Sequence, residues 1–421
     1  MKTKENLGRK RLDRRRLLKA TAGSALFAAL PKALIHVAHA SEAPEVANVR
    51  IGLIAVQSGA SIVIAHEKGF FKKHGLNSTI AKETSWAAAR DKLVSGENHG
   101  SHLKYAQTLA ATLGALGSTP TPMVAPFTLS RNGSVFMVAK KLQGQLTFDP
   151  RTWKTVSDKV RASGSPFTIA LPHPAGWHGL MYRHFLANGG INADKDLKLI
   201  TLPPAQMVQN LKVGTMHACA MVEPWGMRGV STNTTVVTMY GHEMWPNHPT
   251  KTFAMMESFV NKNPKTARAM LRALHEASVW CDDVNNRPEL ARILSTPSYM
   301  NAPQADILRP LLGQFDWGDG RKLTDPSKTI RYGLDNYPQP REAKWFISQF
   351  RRWGMITGEP DYDAIATRVL RADIYTQAME ELGVKPQTQN DAPIKFWDGT
   401  TFDHKQAAAF ARSARISNPK D

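Results

Sequence analysis

Cysteine is nearly absent from this 421-residue chain, with Cys219 and Cys281 its only two. They lie far apart and form no CxxC or other metal-ligand spacing, which excludes a CxxCH haem attachment and a cysteine-built iron–sulfur or zinc site. In an oxidising compartment the two could pair. Read from the residues alone, they are two small buried side chains. Long apolar runs are missing too, and no stretch of 18 or more apolar residues marks a membrane-spanning helix. Neither a GxSxG nucleophile elbow nor an HExxH pattern occurs, so the chain is expected to bind rather than catalyse. Acidic residues are few, 35 against 54 Lys and Arg, for a formal charge of +19. That balance favours anionic partners. With no dense Lys/Arg stripe and no nucleic-acid reader motif, the partners expected are small anions and not nucleic acid.

The length exceeds what one hydrophobic core usually supports, about 250–300 residues, so two domains or two lobes are expected. The first 40 residues hold ten of the basic residues against Glu5 and Asp13. There Asp13-Arg14-Arg15-Arg16-Leu17-Leu18-Lys19 precedes an apolar stretch from Ala20 to Leu30, then Pro31 and Lys32, and Ala38-His39-Ala40 offers a cleavage site. Charged region, apolar region and small-residue site stand in the order of an export signal, and the paired arginines point to the twin-arginine route. Residues 1–40 are therefore expected to be a signal peptide and the mature protein periplasmic. No lipobox cysteine is present to anchor it.

Along the mature chain, Asn48–Val56 is a β-rich run. Gln57-Ser58-Gly59-Ala60-Ser61 can open a helix through Ile62–Lys68, Gly69–Leu76 forms a turn, and Ser78–Lys82 is a second strand. The rhythm returns as a strand at Phe167–Leu171, a helix at Gly179–Gly189 and a strand at Leu197–Thr201. Two βαβ units imply two α/β lobes with a cleft between them. Ligands in such sheets settle beyond the carboxyl ends of the strands, near helix N-termini. The loops after Val56, after Leu171 and around Ser85 are the places indicated. In the C-terminal half, Asn263 caps a helix with Pro264 at its first position, and Ala267, Met270, Leu271, Leu274, Ala277 and Cys281 form its apolar face. Gly318–Tyr332 reads as an extended surface crossing and the last dozen residues as a loose tail.

An ordered set of motifs gives these elements a common identity. Glu67-Lys68-Gly69-Phe70-Phe71-Lys72-Lys73-His74-Gly75-Leu76 is followed by Ala81-Lys82-Glu83-Thr84-Ser85-Trp86 and Arg90-Asp91-Lys92-Leu93. Then come Gly176-Trp177-His178, Asn188-Gly189-Gly190-Ile191, Val222-Glu223-Pro224-Trp225 and Trp245-Pro246-Asn247-His248-Pro249-Thr250-Lys251, with Asn263-Pro264-Lys265 and Trp280-Cys281-Asp282 after them. In this the chain resembles the periplasmic nitrate- and bicarbonate-binding proteins of ABC uptake systems from about Asn48 onward. The resemblance implies an α/β fold of the type II periplasmic binding protein class, two α/β lobes closing on a solute. It places lobe I at residues 46–140 and 245–421 and lobe II at 141–244. It also implies as partners a membrane permease and its ATPase subunits, met by a monomer that touches the inner membrane only through the permease.

For the nitrate binders of the family, the implied pocket is Trp86, His178 and Lys251. The chain departs at two further pocket positions: Ser134 stands where the family has an amide, and Val222 where it has glycine. His102 lies in Ser101-His102-Leu103-Lys104, where the family has apolar residues after the histidine, so Lys104 either adds charge to the cleft or points outward. Nitrate is flat, monovalent and acceptor-only. Lys251 can supply charge, Trp86 an indole N–H and His178 a ring N–H, while Ser85 or Thr84 can cap the helix behind Trp86. Taken singly, a Trp or His at such places is more often packing and a loop Lys more often solvated; the shared order is what assigns them. No cofactor is expected. Bicarbonate is the alternative solute, and a calcium ion would then accompany it, with Glu223 as the carboxylate nearest to hand. A nitrate- or nitrite-responsive sensor is the further alternative, against which the export signal argues.

Overall fold

The computed structural model describes residues 43–420, so the twin-arginine segment and its cleavage site lie outside the described residues. Two five-stranded sheets organise the rest. In chain order their strands are β1 (Asn48–Leu53), β2 (Asn77–Lys82), β3 (Gly100–Lys104), β4 (Met123–Arg131), β5 (Ser134–Ala139), β6 (Thr168–Leu171), β7 (Lys198–Thr201), β8 (Ala218–Val222), β9 (Thr235–Tyr240) and β10 (Pro249–Met256). The first sheet runs β2-β1-β3-β10-β4 and the second β7-β6-β8-β5-β9. Each has three parallel strands followed by one antiparallel insertion, β10 in the first and β5 in the second. The two lobes therefore share one winding pattern, as the repeated βαβ rhythm implies.

The chain crosses between the sheets twice, at Asn132-Gly133 and through residues 241–248. This moves the lobe boundary. β5, expected in lobe I by the limit at residue 140, is paired with β8 and β9 in the second sheet. The turn that marks the true boundary is Asn132-Gly133, both left-handed at φ 62 and 78, a conformation that Asn and Gly reach at least cost. The two crossovers are pinned to one another. The Asn132 amide accepts from Asn247 N–H at 2.9 Å, and the Asn132 backbone N–H donates to the His248 carbonyl at 3.0 Å.

Local readings hold with small shifts. The helix after β1 runs Ala60–Glu67 and the helix after β6 runs Trp177–Asn188. The segment Gly69–Leu76, read as a turn, holds a helical turn at Phe70–Lys73 behind left-handed Gly69. The long helix is Pro264–Asp282, and its expected apolar face is fully buried. Its cap is not Asn263, whose side-chain amide donates back to the Phe259 carbonyl at 3.0 Å. Glu45 caps it instead, accepting from the N–H groups of Lys265 and Thr266 at 3.0 and 2.7 Å. Both cysteines are free and buried, one in β8 and one in this helix.

The C-terminal third is more ordered than its sequence reads. Gly318–Tyr332 carries one strand of a short hairpin, Gln314–Asp316 with Lys322–Thr324, and Tyr332 is buried with its hydroxyl donating to the Gln57 carbonyl at 3.0 Å. The expected loose tail is tied down: Asn418 N–H donates to the Arg352 carbonyl at 2.7 Å and the Asn418 side chain pairs with Asn192. Helix Pro340–Arg352 packs Trp345, Phe346 and Phe350 into a core shared with Tyr105, Phe136 and Trp177. At its start, Glu342 accepts from Arg131 at 2.6 Å, with both side chains buried. The C-terminal helices thus brace the ends of the crossovers.

Candidate functional site

The three loops indicated by the strand ends converge. Ser85 caps the helix Trp86–Val94, its hydroxyl accepting from Ala88 N–H at 3.1 Å, and this sets Trp86 as the first helical residue. Trp86 is 2% exposed, and among the described residues its indole N–H has no hydrogen-bond partner. His102 on β3 meets the indole edge-on, ring centroids 5.3 Å apart, and shares a 3.2 Å hydrogen bond with Ser58 from the loop after β1. Lys251 on β10 is fully buried, its ammonium 5.3 Å from the Trp86 ring centroid and, among the described residues, without a hydrogen-bond partner. A buried donor left unpaired costs about 1–3 kcal/mol, and more for a charged group. Burial alone brings the Lys251 ammonium down to about 7.

Lys104, whose direction the sequence leaves open, turns inward. It is 2% exposed, and its ammonium stands 3.9 Å from the Trp86 ring centroid, within cation–π range. It follows His102 by two residues on β3, which puts both on one face of the sheet, and it faces Lys251 across the β3–β10 pair. That alternation is the signal by which the sequence could have assigned it.

Lobe II supplies the opposite wall. His178 is the second residue of its helix, and its Nε2–H donates to the Met221 carbonyl at 3.1 Å. Burial and the charges of Lys104 and Lys251 hold the ring well below its usual protonation range. A neutral ring with Nε2–H committed leaves Nδ1 as a lone pair, so toward a ligand His178 accepts, and it donates only once protonated. Ser134 opens β5 opposite Val222 at the end of β8. Its hydroxyl is buried and has no partner among the described residues. His248, quoted in a motif but not expected in the site, joins this wall: Nδ1–H donates to the Trp245 carbonyl at 2.9 Å and Nε2 has no partner. A Cβ added at Gly241 would meet both His248 and Ser134 within 3 Å, so these two lie side by side at the returning crossover.

Glu223 stands apart. It lines a small cavity with Gln57, Ser134 and Tyr240, and its Oε2 accepts from Met227 N–H at 2.8 Å. Burial raises its carboxyl to about 7. Among the described residues no group of three or more His, Cys, Asp and Glu is arranged to hold a metal ion. The groups around Trp86 are ammonium, indole and imidazole, which are not the oxygen ligands that calcium takes.

Two α/β lobes of one winding pattern, joined by two crossovers and with two buried lysines side by side at the strand ends, define a solute-binding protein of the periplasmic-binding-protein fold. The chain belongs to the NMT1-like family, whose profile matches residues 42–295. It is 33% identical over 386 residues to the nitrate/nitrite binding protein NrtA of Synechococcus elongatus, covering 88% of this chain and 86% of that protein. It is 32% identical over 396 residues to the bicarbonate-binding protein CmpA of a Synechococcus species, covering 88% of this chain and 87% of that one. The crystal structure of the periplasmic nitrate-binding protein NrtA from Synechocystis PCC 6803 superposes with a TM-score of 0.85 at 32% identity, over 89% of this chain and 100% of that chain.

Proposed function

We propose that the protein captures nitrate, and nitrite with it, between its two lobes in the periplasm and delivers the anion to an ABC permease and its ATPase subunits, without catalysis. The observation that carries this reading is the pairing of a buried, unpartnered Lys251 ammonium with the buried, unpartnered indole N–H of Trp86. An acceptor-only, weakly hydrated anion matches a wall of donors, and charge-assisted hydrogen bonds are about twice as strong as neutral ones. The similarity to nitrate/nitrite binding proteins over most of the chain supports the same solute. Export by the twin-arginine route is part of the proposal, on the strength of Arg14-Arg15 and Ala38-His39-Ala40.

Mechanistically, the lobes close by rotation about Asn132, Gly133 and Asn247, the left-handed residues of the crossovers, and the permease recognises the closed form. Bicarbonate is the second reading, favoured by one observation: the unpartnered Nδ1 of a neutral His178 can accept the hydroxyl proton that nitrate lacks. Calorimetric titration with nitrate, nitrite and bicarbonate, each with and without calcium, separates the two. Nitrate binding that calcium leaves unchanged is the expected result. Binding of bicarbonate alone would transfer the assignment to that solute.

A further inference from the structure

Lys104 is the departure from the family pattern that the tertiary structure makes consequential. The stem of this lysine passes Gly176, the residue before helix Trp177–Asn188: a Cβ there would come within 2.9 Å of Lys104 Cδ. Glycine at that position leaves the stem its room, and the ammonium then lies over the Trp86 ring, closer to it than that of Lys251. The two lysines are register partners on adjacent strands, so their side chains leave the same face of the sheet.

The titratable groups around the pair are all basic ones, His248 of the returning crossover among them. Lys104 is faced by Lys251 from β10, by His102 from its own strand, by His173 from the loop after β6, and by His178 from the lobe II helix. Among the described residues no carboxylate stands among the charges that act on either lysine. One monovalent anion offsets one ammonium. Two ammonium groups in a closed, low-dielectric chamber therefore leave one charge uncompensated when nitrate is bound, or share fewer than two protons before it arrives. The second arrangement agrees with the downward shift of both lysines under burial, that of Lys104 enlarged by Lys251.

We propose that Lys104 is a second anion-binding lysine of this cleft, acting as a pair with Lys251, so that a monovalent oxyanion is captured together with a proton. The inference rests on the nitrate reading above and deepens it. The proton comes from bulk water onto a neutral lysine amine as the lobes close, the resulting ammonium donates to an oxygen of the anion, and the proton leaves with the anion when the lobes open. Capture thereby tightens as pH falls toward neutrality, because the anion selects the form of the pair that carries the added proton.

The test is calorimetric titration of the purified protein with sodium nitrate between about pH 6 and pH 9, in buffers of contrasting ionisation enthalpy, for the wild type and for Lys104→Met. Methionine keeps the length and the apolar stem while removing the amine. The wild type is expected to take up a fraction of a proton per nitrate that rises toward one, with affinity falling by up to about tenfold per pH unit above about pH 7. Lys104→Met is expected to bind at least about tenfold more weakly near pH 7, the loss of one charge-assisted hydrogen bond, and to take up fewer protons. Lys104→Arg, permanently charged, should keep affinity and flatten the pH dependence, and it stands in if the methionine variant fails to fold.

Nitrate binding by Lys104→Met with wild-type affinity and wild-type proton uptake would overturn the role of Lys104 and assign the proton to the histidines. Nitrate binding by the wild type with no proton uptake across the range would overturn the coupling. In both cases the receptor reading stands. Failure of the folded wild type to bind nitrate even at about pH 6, where the lysines are most fully charged, overturns the nitrate reading and this inference together.

Discussion

His248 lies flat against Trp177, ring centroids 4.0 Å apart and 19° between planes, so the crossover that returns the chain to lobe I is stacked on the helix that presents His178 from lobe II. The stacking seats the returning crossover directly against the lobe II wall. The same crossover contains Asn247, hydrogen-bonded to Asn132 on the other connection, and it leads within three residues to Lys251. The proposed anion contact, the lobe packing and the crossover geometry therefore meet in a single short segment.

Lys251→Met should abolish nitrate binding, lowering affinity by at least about a hundredfold, since a charge-assisted contact and the main compensating charge both go. Thermal stability without ligand should hold or rise, because replacing an unpaired buried cation by an apolar side chain of similar length removes a desolvation penalty. Calorimetry and differential scanning calorimetry on the same preparation read the two effects. Retained affinity would remove Lys251 from the site.

Trp86→Phe removes the indole N–H and keeps an aromatic wall. Nitrate affinity should fall by about ten- to a hundredfold, the range for a hydrogen bond to a charged partner. The loss should appear in calorimetry, with the nitrate-induced change in tryptophan fluorescence reduced. An unaltered affinity would mean that the unpartnered N–H of Trp86 does not face the anion.

Glu223 gives a pH signature to stability. Its folded carboxyl is raised to about 7 by burial, above the ordinary value of 4.5. The folded state therefore holds the proton more tightly than the unfolded chain, and stability from this group is full below about pH 4.5 and lost as pH rises through about 7. Glu223→Gln should abolish that loss. Relative to wild type, its stability should climb between these limits by at most about 3 kcal/mol, measured by urea unfolding across the range. Parallel wild-type and variant curves would show that Glu223 stays ionised when folded.

Glu342→Ala should cost about 3–5 kcal/mol, because it leaves the buried Arg131 guanidinium with only Asp335 at 2.9 Å and the backbone as partners. Arg131 closes β4 immediately before the Asn132-Gly133 crossover. The variant should therefore lower the unfolding midpoint and also weaken nitrate binding modestly, by loosening the hinge. Urea unfolding followed by titration under native conditions checks both.

Local patterning alone was enough for much of this protein. The βαβ rhythm, the apolar face of Pro264–Asp282, a cap at Thr84 or Ser85 behind Trp86 and the scarcity of carboxylates are all short-range facts, decided by side-chain period, capping chemistry and net charge. The ordered motifs added the family and three proposed pocket positions. Tertiary structure decided the rest, because it depends on residues far apart in the chain. Glu45 displaced Asn263 as a cap across 220 positions, and β5 joined the second sheet through pairing that no local signal but Asn132-Gly133 announces. The inward turn of Lys104 is of the same kind. On its own strand it is one more basic residue; it becomes half of a buried cation pair only when β10 returns from the other lobe and places Lys251 opposite. Charge and period are written locally, whereas burial, which sets what a charge costs and what it can hold, belongs to the assembled fold.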